Sequence, residues 1–169
     1  MHNLYLPLYA ELSINAGEYD EALKYASSME EYNVENEYVW LYRSLAYRLK
    51  GNLSLATHAC NEGLTISPNS PSINYQMSVL SLLQGQPKAA LHYAETAYAY
   101  ADTQTIFVSS GSLYALCAAL NEDTETYNSV AEEAESYGYE FSPDVKAITE
   151  GTKTIEDVFA TGKGDFEWK

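Results

Sequence analysis

Basic residues are scarce in this sequence. Lys and Arg together number 9 of 169 residues against 24 Asp and Glu, which gives a formal net charge of −15 at pH 7 and an isoelectric point near 4.4. Proteins that bind nucleic acid neutralise backbone phosphates with Lys and Arg. The acidic composition therefore predicts that nucleic acid is not a partner.

Long apolar runs and a disulfide framework are also missing. No stretch approaches the roughly 18 consecutive apolar residues of a membrane-spanning helix, and only two cysteines are present. The first residues have neither the basic region nor the small-residue cleavage site of a signal peptide. We therefore expect no membrane span, no disulfide scaffold and a cytoplasmic location.

The sequence is nevertheless rich enough in apolar residues to fold. Hydrophobic residues make up 46% and aromatic residues 13% of the chain, including 16 tyrosines, whereas disordered acidic chains are poor in both classes. The length suits one domain or a short array of repeats.

A repeat of 34 residues organises the first two thirds of the chain. Gly17, Gly51 and Gly85 follow one another at this interval, and each has an alanine five positions later. Apolar residues recur at helical spacing on both sides of each glycine. Glycine suits a tight turn because it tolerates left-handed backbone angles. The repeat therefore predicts pairs of amphipathic helices joined by glycine turns, with Ser70 and Asn36 as capping residues.

This pattern resembles the tetratricopeptide repeat, whose unit is also 34 residues. The segment 37–70 matches best, and the segments 3–36 and 71–104 match less fully. The matching positions in the best unit are Trp40, Tyr47, Gly51, Ala56, Gly63 and Pro68. The resemblance implies an all-α, right-handed superhelical solenoid of antiparallel helix pairs.

The end of the chain departs from the repeat. We expect a divergent fourth unit at 105–141 with its turn at 121–123, so that the solenoid spans residues 1–141. Residues 142–169 are predicted to form a C-terminal capping helix and a tail, because Ser142 and Pro143 provide a helix start. The tail carries two large aromatic residues, Phe166 and Trp168.

No catalytic or metal-binding motif emerges from the residues. His58 and His92 lie at equivalent repeat positions, but two further metal ligands are not evident, so exposed histidines are the expected outcome. Cys60 and Cys117 are expected to be small core residues because no basic neighbour would activate them. We predict a protein that is not an enzyme and uses neither a cofactor nor a metal.

In the tetratricopeptide family, ligands contact the first helix of each unit, on the concave wall of the superhelix. The resemblance places a groove here that is mostly aromatic and aliphatic. Its predicted partner-binding residues are Tyr38, Leu41, Tyr42, Leu45, Arg48, Tyr75, Gln76, Val79 and Leu82. Among them Tyr38, Tyr42 and Tyr75 are expected to be exposed anchors, and Arg48 to orient a carboxylate or carbonyl group.

These features favour a non-catalytic adaptor or scaffold that binds a peptide or helix of another protein. The partner would carry apolar anchors with basic flanks, because the surroundings of the groove are acidic. Two alternatives stay open at this point. One is an acidic chaperone that resembles those of type III secretion, and the other is a self-associating subunit such as a homodimer.

Overall fold

The computed structural model describes residues 5–32 and 37–160, and within these ranges it contains ten helices and no strand. None of these helices combines the length and the apolar character needed to cross a bilayer. The helices are α1 (Leu6–Asn15), α2 (Tyr19–Glu31), α3 (Glu37–Leu49), α4 (Leu53–Ile66), α5 (Pro71–Leu83), α6 (Pro87–Ala99), α7 (Gln104–Leu120), α8 (Thr124–Ser136), α9 (Pro143–Thr149) and α10 (Ile155–Phe159).

The first eight helices form four consecutive pairs. Each packs against the next along the chain, and the first helices α1, α3, α5 and α7 also contact one another in that order. Two short elements, α9 and α10, return from the end of the array to α7 and α5. The predicted all-helical solenoid of helix pairs is confirmed.

The three repeated glycines form the predicted turns. Gly17, Gly51 and Gly85 have φ values of 79°, 79° and 70°, a left-handed region that side chains with a Cβ rarely adopt. The Gly51 amide donates to the Arg48 carbonyl at 2.8 Å, and the next residue, Asn52, accepts a hydrogen bond from the Leu55 amide at 3.1 Å. Each turn thus ends one helix and starts the next within three residues.

The fourth pair follows the predicted shift in register. Its first helix, α7, has 17 residues where α3 and α5 have 13. The turn lies at Glu122, whose φ is 59°, and Asp123 then caps α8 by accepting from the Thr126 amide at 3.0 Å. This hydrogen bond lowers the pKa of the Asp123 carboxyl group.

One of the two capping predictions for the repeats is wrong. Ser70 precedes α5 but makes no side-chain cap, because its hydroxyl donates to the Glu37 carboxylate of α3 at 2.9 Å. Asn36, the other predicted cap, and the aromatic tail residues Phe166 and Trp168 lie outside the described residues. Ser142 does cap α9, since its hydroxyl accepts from the Asp144 amide at 3.4 Å.

The core lies between successive pairs and is built from small residues on one side and large ones on the other. Each of the second helices α2, α4 and α6 buries mainly small residues at the spacing i, i+4, i+7. These are Ala22, Ala26 and Met29, then Ala56, Cys60 and Gly63, then Ala90, Ala94 and Ala97. The next first helix inserts its larger side chains here. Ile73, for example, is fully buried against α4.

The surroundings of Gly63 show how closely α4 packs against α5. A Cβ at this position would collide with the Ile73 side chain and lie 3.1 Å from the Trp40 Cβ. Alanine normally stabilises a helix relative to glycine, but overpacking costs about 1–3 kcal/mol. We therefore expect Gly63→Ala to lower the free energy of unfolding by about 1–3 kcal/mol in urea denaturation.

Gly111→Ala on α7 is the matched control. The nearest atom to its added Cβ is a ring carbon of Tyr98 at 3.1 Å, and a single ring edge can move more easily than two facing side chains. We expect a smaller loss there. A gain in stability for Gly63→Ala would mean that the pairs do not pack as described.

Candidate binding site on the inner wall

The nine predicted groove residues lie on two neighbouring first helices. We call the surface that they form the inner wall. Helix α3 carries Tyr38, Leu41, Tyr42, Leu45 and Arg48, and helix α5 carries Tyr75, Gln76, Val79 and Leu82. Because α3 contacts α5, the fold brings the two sets together as predicted.

The part of the wall on α5 is covered by the end of the same chain. Tyr75, Val79 and Leu82 are 7%, 0% and 6% exposed, and they share one core cluster with Val158 and Phe159 of α10. The expectation that Tyr75 is an exposed anchor is therefore wrong. The physical reason is that α5 lies inside a core cluster that α6, α7 and α9 share with Val158 and Phe159 of α10.

Arg48 of the inner wall binds α10 directly. Its side chain is 1% exposed, its Nε donates to the Gln76 Oε1 at 3.0 Å, and one terminal nitrogen donates to the main-chain carbonyl of Phe159. In this structure the carbonyl that Arg48 binds belongs to its own chain, and its predicted role toward a partner stays a prediction. An arginine can serve this role because its planar group has several fixed donors.

Tyr42 is buried for a different reason. It is 9% exposed and packs with Leu6, Ala10 and Val39 at the junction with the first pair. Burial raises the pKa of its phenol to about 12, with a smaller contribution from the Glu11 carboxylate. The expectation that Tyr42 is exposed is wrong, since this position faces the preceding helix pair.

The rest of the wall on α3 is more open. Tyr38 is 47% exposed, as expected, and its ring lies 6.5 Å from that of Tyr42. Leu41 and Leu45 are half-buried. The inner wall therefore has a covered section on α5 and an accessible section at the start of α3.

The capping helix predicted after Pro143 corresponds to α9, and the sequence did not reveal Val158 and Phe159 of the next helix as residues that lie on the wall. The local signal for the helix is clear. The Thr154 hydroxyl accepts from the Asp157 amide at 3.1 Å, and the Asp157 carboxylate accepts from the Thr154 amide at 2.8 Å. This reciprocal cap starts α10 and lowers the pKa of the Asp157 carboxyl group. Nothing local indicates where the helix docks.

The polar residues weighed as chemical sites do not form one. His58 is largely exposed, with its Nδ1 4.0 Å from a Glu62 carboxylate oxygen. In the ranges 5–32 and 37–160, no group of three or more His, Cys, Asp and Glu side chains could hold a metal ion. Cys60 lies 2.9 Å from the Ser44 hydroxyl, and burial raises the pKa of the Cys60 and Cys117 thiols to about 12.

No protein-family model matches this sequence, and no curated protein matches it. The tetratricopeptide resemblance thus rests on the repeat spacing and on the helix pairs.

Tyr75 is buried and Tyr38 is half exposed, so we expect their truncation to change stability by very different amounts. Tyr75→Ala removes a ring from the core between α5 and the C-terminal helices, and such a truncation costs about 3–5 kcal/mol of unfolding free energy. Tyr38→Ala removes a half-exposed ring, and we expect a change within about 0.5 kcal/mol. Chemical denaturation of both variants measures the difference. Equal effects would show that Tyr75 is not buried in solution.

The buried thiols predict loss of stability at alkaline pH. Between pH 9 and about 12 the thiols ionise in the unfolded chain but stay protonated in the fold. The folded state then holds more protons, so the free energy of unfolding falls as the pH rises through this range. Removing one thiol, by Cys60→Ala or Cys117→Ala, should reduce the slope by up to about 1.4 kcal/mol per pH unit. An unchanged slope in both variants would contradict the burial.

Proposed function

We propose that this protein is a non-catalytic interaction module whose inner wall binds a short segment of another protein, carrying an aliphatic residue followed by an aromatic one. The observation that carries the proposal is the way the wall holds α10. Val158 and Phe159 are buried against α5, and Arg48 binds the carbonyl of Phe159. On this proposal, α10 occupies the binding site as an internal ligand.

The chemistry of the wall is selective for such a segment. Apolar side chains take the two anchors, and the Arg48 guanidinium fixes the direction of the main chain by binding one carbonyl. Gln76 holds the guanidinium in place through its Oε1. Preorganised donors of this kind give a binding site specificity at a low cost in ordering.

A partner segment can compete with α10 because α10 is short. Burial of Val158 and Phe159 contributes about 1.5–3 kcal/mol each, whereas ordering five residues costs about 1–2 kcal/mol per residue. The two ranges overlap, and α10 is held in addition by the Arg48 hydrogen bond and by the partly buried Ile155. Elements of this kind open locally while the rest of the fold stays intact.

The accessible section at the start of α3 would extend the site. Tyr38 offers an exposed ring beside the half-buried Leu41, and tyrosine is common among residues that dominate binding energy. Glu11 on α1 is exposed nearby in the electrostatic surroundings of Tyr42. Together with the net charge of −15, this favours a partner with basic flanks.

A random heptapeptide library displayed on phage tests the proposal with the full-length chain. Phe159→Ala removes the internal aromatic anchor, and we expect this variant to enrich peptides with an aliphatic–aromatic pair more strongly than the wild type. Adding Arg48→Met should abolish the enrichment. Circular dichroism checks that each variant keeps its helices.

Arg43→Met in the Phe159→Ala background is the matched control. Arg43 lies on the same helix but pairs with Glu30 and stacks 4.8 Å over the Trp40 ring, away from α10. We expect enrichment to persist in this control. No enrichment with any variant, or the same enrichment after Arg48→Met, would overturn the proposed function.

A further inference from the structure

A second accessible surface lies at the first helix pair. Four apolar side chains of α1 and its preceding residue are about half exposed, and one of them, Tyr9, keeps its ring 5.5 Å from the Tyr25 ring of α2. They are Tyr5 at 55%, Leu8 at 48%, Tyr9 at 41% and Leu12 at 53%. We call this surface the N-terminal edge. Its only neighbouring charge on α1 is Glu11.

The repeat identifies what these positions do elsewhere in the molecule. Shifting the four residues by 34 positions gives their counterparts on α3, and a second shift gives those on α5. The counterparts are Val39, Tyr42, Arg43 and Ala46, then Ile73, Gln76, Met77 and Leu80. All eight are covered, with at most 9% exposure for seven of them and a side-chain exposure of 16% for Arg43.

Two of the counterparts are covered by first helices, since Tyr42 packs with Leu6 and Ala10 of α1 and Gln76 binds Arg48 of α3. Where the preceding second helix provides the cover, its chemistry is the same at both junctions. At the α2–α3 junction, Val39 packs with Ala26 and Met29. At the α4–α5 junction, Ile73 packs with Ala56 and Cys60, and it leaves no room for a Cβ on Gly63. A second helix with mostly small residues at i, i+4 and i+7 therefore fits against this face.

The fold also argues against a head-to-tail stack of copies. The counterpart face on α8 consists of Tyr127, Ala131 and Ala134, and its opening small residue is replaced by a tyrosine. The Tyr127 ring lies 6.0 Å from that of Phe141, so the following chain packs against this end of α8. A second copy would therefore not offer an open face of small residues at this end of the array.

We infer that the N-terminal edge is a docking site for an amphipathic helix of a separate protein that presents small residues at i, i+4 and i+7. The helix would lie on α1 as α2 lies on α3 and as α4 lies on α5. The four exposed side chains supply a few hundred Å² of apolar surface, the size at which exposed patches of monomers are often functional. The acidic chain favours basic residues on the flanks of the docked helix.

A peptide with the chain's own α4 sequence, residues 52–67, is the probe. A hydrocarbon staple on its outer face stabilises the helix, because isolated helices of this length are marginal in water, and Cys60→Ala in the peptide prevents oxidation. We expect it to bind the full-length protein in fluorescence anisotropy. Placing leucine at peptide positions 56, 60 and 63 should abolish binding, since the face of small residues is lost.

Variants of the protein locate the site. Leu12→Glu should weaken peptide binding by about tenfold or more, because it places a charge in the centre of an apolar contact. Leu55→Glu is the matched control, since Leu55 is an equally accessible leucine, 40% exposed, on α4. It should leave the affinity unchanged. Circular dichroism verifies that both variants keep the wild-type helical signal.

Three results would overturn the inference. They are absence of binding by the stapled peptide, equal binding of its leucine variant, and binding that Leu12→Glu does not weaken. A concentration-dependent dimer in sedimentation equilibrium that Leu12→Glu dissolves would assign the edge to a second copy instead. Arg48→Met leaves the edge intact, so peptide binding in that variant separates this inference from the proposed function of the inner wall.

Discussion

The structure depends on one packing constraint, which is that each second helix must leave room for the large side chains of the next first helix. Alanine, cysteine and glycine at i, i+4 and i+7 provide that room. At Gly63 the fit leaves no space for even one methyl group, because the Ile73 side chain already occupies it. Each pair is positioned by the preceding one, so close packing at one junction fixes the placement of the pairs that follow. The register of the inner wall follows from the same contact.

The constraint explains why the helical architecture could be predicted from the sequence. Glycine and alanine recur in one phase because turn geometry and close helix approach are needed once per unit, so they leave a periodic record. The turns at Gly51 and Gly85 have the expected left-handed angles. Even the shifted fourth turn was predictable, since Asp123 provides a cap where the glycine is missing.

The occupancy of the inner wall could not be predicted in the same way. The hydrogen bond from Arg48 to the Phe159 carbonyl joins residues 111 positions apart and occurs once. A single long-range contact leaves no periodic signal, so the sequence indicates a short helix capped by Thr154 but not its docking place. The repeat analysis also assigned Tyr42 to the wall by family position, although the side chain belongs to the junction with the preceding pair. The Ser70 hydroxyl makes no cap and instead donates to the Glu37 carboxylate of α3, a long-range contact that local sequence does not reveal.

Two of the few cations join neighbouring helix pairs. Arg43 bridges to Glu30 at 2.5 Å, and Lys50 pairs with Asp20, so both join the first two helix pairs. Exposed ion pairs of this kind contribute little stability, but they offset the mutual repulsion of acidic helices at a junction. Arg48 lies instead inside the wall.

The first and last helix pairs of the array differ in how far their outer faces are covered. At the C-terminal end, the chain packs Phe141 against α8 and then sends α10 back onto α5. At the first pair, α1 is apolar on the face that packs against α2 and also on the opposite face, where Leu8 and Leu12 are about half exposed. Covering the second apolar face of such a helix adds to its stability in water. In the array, large side chains of one helix pack against small residues of the next. At the N-terminal edge this contact is made on only one side of α1.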